Sequence, residues 1–545
     1  MGDTLTYNLA DMWEAISDRV ADREALVCGD RRLTFAQLEE RANRLANHLS
    51  GLGLGAGDLV GCYLTNGTEY IEALIGSFKI RAASVNINYR YESDELLYLL
   101  NDSGVSVLIC NEEFVGRVAE VADRAPTLRH VLVVGSDGPV SADLSELPDA
   151  RDYEAVLAAS SPDRPVVPGR GNDDIYVLYT GGTTGAPKGV VWDHGNCFFG
   201  CTGGGDPLRM SGPVTSPEEM FERIIDFDFV FYALAPLMHA AAQWVTFMWL
   251  FCGAKVVLHP GRFDPVAIWK TVGEEKVSAM TLVGDAMARP LIDAWDEHGP
   301  FDVSSMYSLS NGGAPMAPYL VDRLREAAPN ALFSDGFGSS ETGIQGSRRF
   351  GPGEKIGDEV RFSNVESGTV LFDEFGELIE PGSDKVGRVA HSGYVPLRYH
   401  NAPEKTAEVF IEHDGRRYVL SGDLGTAGED GSVVLLGRGS TTINTGGEKV
   451  HAEEVESQLK SHPGVYDAIV VGVPDERWGQ KVVAVIAPVD GSTPTVEDID
   501  AHCRGKLASY KIPKGIVLVD EIVRSPSGKA DYRWAKDVVE GGAGN

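Results

Sequence analysis

The eleven residues Tyr179–Gly189 (YTGGTTGAPKG) constrain this chain more than any other stretch, and they follow directly on the strand-like run DIYVLYT that starts at Asp174. Glycine lets the backbone fold close around phosphate oxygens with its N–H groups pointing inward, while Thr183, Thr184 and Lys188 add hydroxyl donors and a cation. A plain surface turn needs no such combination, so the loop reads as a phosphate cradle at the end of a strand. It is not a Walker P-loop, because Lys188 follows Pro187 rather than Gly and precedes Gly189 rather than Ser or Thr.

Strand-like runs recur at HVLVVG from His130, KVVLHP from Lys255, DAIVVGV from Asp467 and KVVAVIAP from Lys481, with helical stretches between them. One such stretch opens with a capping box, Thr34 and Gln37, and places Leu38, Ala42, Leu45, Ala46 and Leu49 on one helical face. The alternation predicts an α/β protein. At 545 residues the chain exceeds the roughly 250–300 at which single cores stop growing, so two domains are expected. The run GSVVLLGRGS (431–440) marks the boundary. We expect a large N-terminal domain of β-sheets flanked by helices over 1–436, a hinge at 437–440, a small α+β domain over 441–537 and a disordered tail at 538–545. Trp244 to Ala254, the longest apolar stretch, is about half the ~20 residues that span a bilayer and reads as a buried helix.

Lys and Arg number 48 against 80 Asp and Glu, a net charge of -32 that repels nucleic acid and anionic membrane in the absence of a local basic patch. Neither nucleic acid nor stable membrane insertion is expected. Seven scattered cysteines without metal-site spacing read as reduced thiols, and the acidic N-terminus lacks the basic start of a signal peptide. The expectation is a cytoplasmic protein whose oligomeric state is open, a homodimer being one option.

The glycine loop resembles the phosphate-binding signature of the adenylate-forming superfamily of acyl-coenzyme A synthetases, luciferases and nonribosomal adenylation domains, with Gly181 where Ser is usual. Further segments in the family's order extend the resemblance over nearly the whole chain. SNGGAPM (Ser310–Met316) and DGFGSSETG (Asp335–Gly343) resemble the adenine-binding segments, with Gly313, Ala314, Gly338, Ser339 and Ser340 along the base and Phe337 stacked on it. Glu341 is implied as the magnesium ligand together with Thr184, and the ATP phosphates fall to Thr180, Gly181, Gly182, Thr183, Thr184, Gly185 and Lys188. SGD at Ser421–Asp423 and the arginine of GRG, Arg438, resemble the pair that holds the ribose. INTGGEKVHAEEVE (Ile443–Glu456) resembles the mobile loop that lines the coenzyme A channel through Gly446 and Gly447, and Ser440 stands where the family pivots on Asp or Lys. Lys529 in RSPSGKADYRW matches the catalytic lysine, and His239 in PLMHAAAQW resembles the histidine beside the acyl carboxylate and thiol entrance.

The resemblance implies ATP, Mg2+ and coenzyme A as cofactor and substrates, and Lys529, Glu341, His239 and Thr184 as catalytic residues. The reaction expected is attack of a carboxylate on the α-phosphate, releasing pyrophosphate, then attack of a thiol on the acyl-adenylate, releasing AMP. VGDAMARPL from Val283, with GSSETG and GKADYRWAK, is similar to bacterial ligases of long-chain and steroid side-chain acids, which implies a bulky hydrophobic acid. Asp285 either faces the acyl pocket or caps a helix Ala286–Trp295. Rival readings are a fatty acyl-AMP ligase, an adenylation domain loading a carrier protein, a luciferase-like oxygenase and a nucleotide-binding protein without turnover.

Overall fold

The computed structural model describes residues 5–136, 138–181, 186–354, 360–362, 364–365, 368–445, 448–475, 478–524 and 529–542. Among the described residues the strands form four sheets. In the first, Ile175–Thr180, Ala83–Asn86, Leu59–Tyr63, Val107–Asn111, His130–Val134 and Ala150–Asp152 run parallel, and Lys188–Asp193 and Arg398–Tyr399 extend one edge antiparallel. The second has a parallel centre of Leu332–Ser339, Ser308–Gly312, Ala279–Leu282, Val230–Ala233, Lys255–Leu258 and Glu24–Cys28, with antiparallel edges. Parallel strands covered on both faces read as continuous apolar runs, and Leu59–Tyr63 and Ala83–Asn86 are buried at every position.

Helix Thr68–Lys79 is buried at every position but Glu69 and packs against helices Leu9–Arg19 and Phe35–Gly51. Its last residue, Lys79, is wholly buried and holds Glu14 at 2.6 Å and Glu39 at 2.8 Å. Removing one partner of such a pair leaves an uncompensated charge, typically about 3–5 kcal/mol, so these ionic contacts tie three helices into one core. Helix Phe35–Gly51 carries the expected capping box, Gln37 N to Thr34 Oγ1 at 3.2 Å and Thr34 N to Gln37 Oε1 at 2.9 Å.

A third, antiparallel sheet is built from Arg361–Phe362, Val433–Arg438, Arg416–Ala427, Gly387–Ser392 and Thr369–Phe372, with Phe410–His413 added to Arg416–Ala427. The fourth, Glu448–His451, Thr442–Thr445, Gly479–Pro488, Val465–Asp475 and Gly515–Leu518, belongs to a smaller C-terminal α+β unit. Alternation along DAIVVGV splits its apolar residues between two layers: Ala468 and Val470 pack with Val455 and Leu459, Ile469 and Val471 with Ala535 and Val539.

Two expectations need correction. Helix Tyr532–Gly542 carries the chain through most of the expected disordered tail, because Val539 is buried against the C-terminal sheet; 543–545 lie outside the described residues. The apolar stretch from Trp244 belongs to helix Ala240–Leu250, which starts earlier and ends at a turn through Gly253 (φ 69°) before strand Lys255–Leu258. Among the described residues no helix is long and apolar enough to cross a membrane, and all seven cysteines are free thiols.

Candidate active site

The glycine loop joins strand Ile175–Thr180 to strand Lys188–Asp193, whose first residue pairs with Thr180. Thr180, Gly181 and Pro187 line a cleft of about 1220 Å³. Gly182, Thr183, Thr184 and Gly185 lie outside the described residues. Lys188 opens the returning strand and is not among the cleft-lining residues. The base of the loop is fastened by Asn86, which the sequence did not single out. Its amide donates to Tyr179 O at 2.9 Å and Met238 O at 2.6 Å, and its Oδ1 accepts Tyr179 N–H at 2.7 Å. One buried side chain therefore ties the end of the strand leading into the glycine loop to the segment carrying His239. That histidine lines the cleft at the start of helix Ala240–Leu250.

Strands Ser308–Gly312 and Leu332–Ser339 end together at the cleft, since Asn311 pairs with Asp335 and Gly312 with Gly336. Asn311 Nδ2 donates to Asp335 Oδ1 at 2.8 Å and to Ala314 O at 3.0 Å, and Arg348 Nη2 holds Asp335 Oδ2 at 2.9 Å. Gly313, Phe337, Gly338, Ser339 and Ser340 all line the cleft, whereas Ala314 is not among its lining residues. Phe337 is buried against Phe362, ring centroids 4.5 Å apart. Beyond it a turn is fixed by Thr342 Oγ1, which accepts Ser339 N–H at 3.0 Å, and Trp192 Nε1 donates to Ser340 O at 3.0 Å. The turn presents Glu341, half-buried, whose Oε1 accepts the Tyr399 hydroxyl at 3.0 Å.

Asp423 stands directly opposite Arg438 on neighbouring strands, Oδ1 to Nε 3.5 Å. The C-terminal unit contributes Thr441, Ile443, Val470 and Lys529 to the wall of the same cleft. Lys529 is accessible within it, and its ammonium is felt by Arg438, Glu341, Asp423 and Glu453. Desolvation by the surrounding walls of the cleft and then Arg438 lower its pKa, opposed by the three carboxylates. Glu453, on helix Ala452–Lys460, is pushed up to about 7 by burial and by the carboxylates of Glu456 and Asp423. Lys529 of the C-terminal unit thus lines the cleft within the electrostatic reach of two carboxylates of the large unit, Glu341 and Asp423, neither of which is among the cleft-lining residues.

Away from that point the cleft is apolar, lined by Phe227, Phe229, Phe231, Trp244, Met248 and Trp249. Its floor is the second sheet, where Thr281 and Ser310 hydroxyls bond each other at 2.6 Å. A Cβ on Gly312 or Gly336 meets nothing nearer than 3.8 Å, so glycine there leaves the floor open rather than avoiding a clash.

Asp285 is neither a pocket residue nor an N-cap. Helix Gly284–His298 starts two residues earlier than expected, with Asp285 in its first turn and outside the cleft lining. Its Oδ1 accepts Ala317 N–H at 2.8 Å and its Oδ2 the Lys460 ammonium at 2.9 Å. Gly284 itself takes a positive φ (60°), and a Cβ there would meet Pro315 O at 2.6 Å and Ala314 Cβ at 2.8 Å. Gly446 and Gly447 lie outside the described residues. Among the described residues no group of three or more His, Cys, Asp or Glu can hold a metal ion.

Comparison with known proteins agrees with this arrangement. The AMP-binding enzyme family matches residues 13–373, and the AMP-binding enzyme C-terminal domain matches 454–529. A 3-oxocholest-4-en-26-oate–CoA ligase of Rhodococcus rhodochrous is 44% identical over 98% of this chain and 96% of its own. A medium/long-chain-fatty-acid–CoA/3-oxocholest-4-en-26-oate–CoA ligase of Mycobacterium marinum is 42% identical over 98% and 97%. Among solved structures, the anthranilate CoA ligase AuaEII in complex with anthranoyl-AMP superposes with a TM-score of 0.84 at 25% identity, covering 99% of both chains. ATP-bound MatB from Rhodopseudomonas palustris gives 0.79 at 24% identity over 98% of both.

Proposed function

Because the chain belongs to the AMP-binding enzyme family, we propose that it is an AMP-forming acyl-CoA ligase, an acid–thiol ligase, that activates a bulky hydrophobic carboxylic acid. The observation that carries the reading is Lys529 of the C-terminal unit lining the cleft within the electrostatic reach of Glu341 and Asp423.

In the first step the substrate carboxylate attacks the α-phosphorus of ATP and pyrophosphate leaves. Negative charge builds on the phosphoryl oxygens and the entering carboxylate, and the Lys529 ammonium stabilises it without moving a proton. Asp423 accepts the ribose hydroxyls with Arg438 holding it in place, Phe337 and Gly338 bound the base, and the loop from Thr180 to Lys188 takes the leaving pyrophosphate. Magnesium fits beside Glu341: a lone carboxylate steadied by Tyr399 suits an ion held mainly by phosphate oxygens and water. Bound there with Thr184, it would supply neutralisation of phosphate charge. In the second step the coenzyme A thiol attacks the acyl carbonyl and AMP leaves. His239 serves where thiol and carboxylate meet, Gly446 and Gly447 are assigned to the thiol channel by the motif resemblance alone, and the unit 441–537 turns about 437–440.

The aromatic lining and the size of the cleft support a large apolar acid, and the two relatives above act by name on steroid side-chain and medium/long-chain acids. The test is to supply ATP, Mg2+ and coenzyme A with fatty, aromatic and steroid side-chain acids and to measure AMP and thioester. The expected result is coenzyme A-dependent AMP release, strongest with long-chain and polycyclic acids. Acyl-adenylate that accumulates irrespective of coenzyme A would instead mark an adenylating ligase for another acceptor.

A further inference from the structure

Asp285, Arg289 and Asp293 follow one another at intervals of four on helix Gly284–His298 and so lie along one face. Each touches the C-terminal unit. Asp293 Oδ2 accepts the Tyr466 hydroxyl at 3.1 Å. The Arg289 guanidinium lies 4.5 Å from the Tyr466 ring and 5.1 Å from that of Tyr319 on its own side. Asp285 holds Lys460 at 2.9 Å, with only 8% and 11% of the two side chains exposed.

The contact continues inward. Lys460 lies 3.7 Å from Asp467, and Asp467 holds Arg524 at 2.6 Å. Arg524 bridges through its backbone to Ala530, the neighbour of Lys529. A mostly buried chain of alternating charge therefore runs from the helix beside the cleft to Ala530, next to Lys529. We propose that Asp285 is a positioning residue which, through Lys460, Asp467 and Arg524, fixes Lys529 in the cleft for the first half-reaction. Burial alone raises a carboxyl, yet Lys460 and the Ala317 N–H hold Asp285 below its ordinary value, as a working ion pair requires. Among the described residues Lys460 is the hydrogen-bond partner of Oδ2, and Oδ1 is occupied by Ala317 N–H at the start of helix Pro318–Ala327.

The inference rests on the two-step reaction proposed above, and it is tested on the full chain with Asp285→Asn, Asp285→Glu, Lys460→Met and the Asn/Met double variant. Pyrophosphate exchange reports the first half-reaction, thioester formation from supplied acyl-adenylate the second, and thermal unfolding the fold. Asparagine keeps an oxygen for Ala317 and removes only the charge. The expected result is a fall of about ten- to a hundredfold in the exchange kcat, the scale for losing one partner of a buried charged pair, with KM for ATP little changed. Thioester formation from supplied adenylate stays within about twofold, glutamate recovers part of the loss, and the double variant is no worse than Lys460→Met alone. Unchanged exchange in Asp285→Asn, equal loss in both half-reactions with a lowered unfolding temperature, or losses that simply add would each overturn the proposal. Absence of exchange in the unmutated protein would instead sink the two-step reading itself.

Discussion

Glu453 pairs a titratable carboxyl with the junction of the two units, and its value of about 7, against an ordinary 4.5, ties the protein's stability to pH. The folded state binds this proton more tightly than the unfolded chain, so its stabilising contribution is complete below about pH 4.5 and is lost as pH rises to 7. Glu453→Gln should therefore gain in unfolding temperature relative to the unmutated protein between pH 5 and pH 8, and parallel unfolding temperatures at the two pH values would contradict this. Tyr399 steadies Glu341 through a single hydroxyl. Tyr399→Phe should raise the Mg2+ concentration needed for half-maximal exchange by about threefold to tenfold, the worth of one hydrogen bond to a charged group, and titration of exchange against Mg2+ measures it. At this scale the sequence was informative where chemistry needs a rare combination: Lys529, Glu341, Asp423 and Arg438 all sit in motifs, and the structure pairs Asp423 with Arg438 and puts Lys529 under the influence of the other three. Asn86 and Tyr399 left no such mark, because their roles come from partners far along the chain.

Among the elements, strand Leu332–Ser339 depends on an irregularity. The ladder with Gly343–Phe350 slips between Phe337 and Gly338, and a Cβ on Gly338 lies 2.1 Å from the Gly343 carbonyl oxygen. Backbone cannot yield as a side-chain tip can, so Gly338→Ala should displace the turn carrying Ser339 to Glu341. The expected cost is about 1–3 kcal/mol of stability together with a raised KM for ATP, read by denaturant unfolding and exchange kinetics. A variant with unchanged KM would show that the turn does not meet the nucleotide. The start and apolar face of helix Phe35–Gly51 were readable, since capping box and apolar spacing are local signals, whereas the helical stretch expected over Leu33 to Val60 ends at Gly51. Helix Gly284–His298 was misread at its start, because Asp285 looks like a cap in sequence while its carboxylate is engaged by Ala317 and Lys460. A partner 175 residues away cannot be inferred from spacing.

Taken whole, the molecule carries a net charge of -32 and is proposed to bind two anions, ATP and coenzyme A. Long-range repulsion of both is screened by salt, so kcat/KM for ATP should rise about two- to fivefold as ionic strength increases from roughly 0.01 to 0.15 M. A monotonic fall over that range would mean that local cations outweigh the overall field. The α/β class follows from alternating strand and helix patterns, but sheet order does not. Glu24–Cys28 joins Lys255–Leu258 because both bury apolar faces, and no local pattern records that pairing. The smaller C-terminal unit matters for the same reason of distance: it brings a cation to a cleft built mainly by the larger one. Replacing Lys529 by Ala and measuring acid-dependent pyrophosphate exchange tests that arrangement most directly. Loss of one preorganised charge at the reacting phosphate predicts a fall of at least about 10²–10³-fold in kcat with the fold intact, whereas exchange at the unmutated rate would contradict the account.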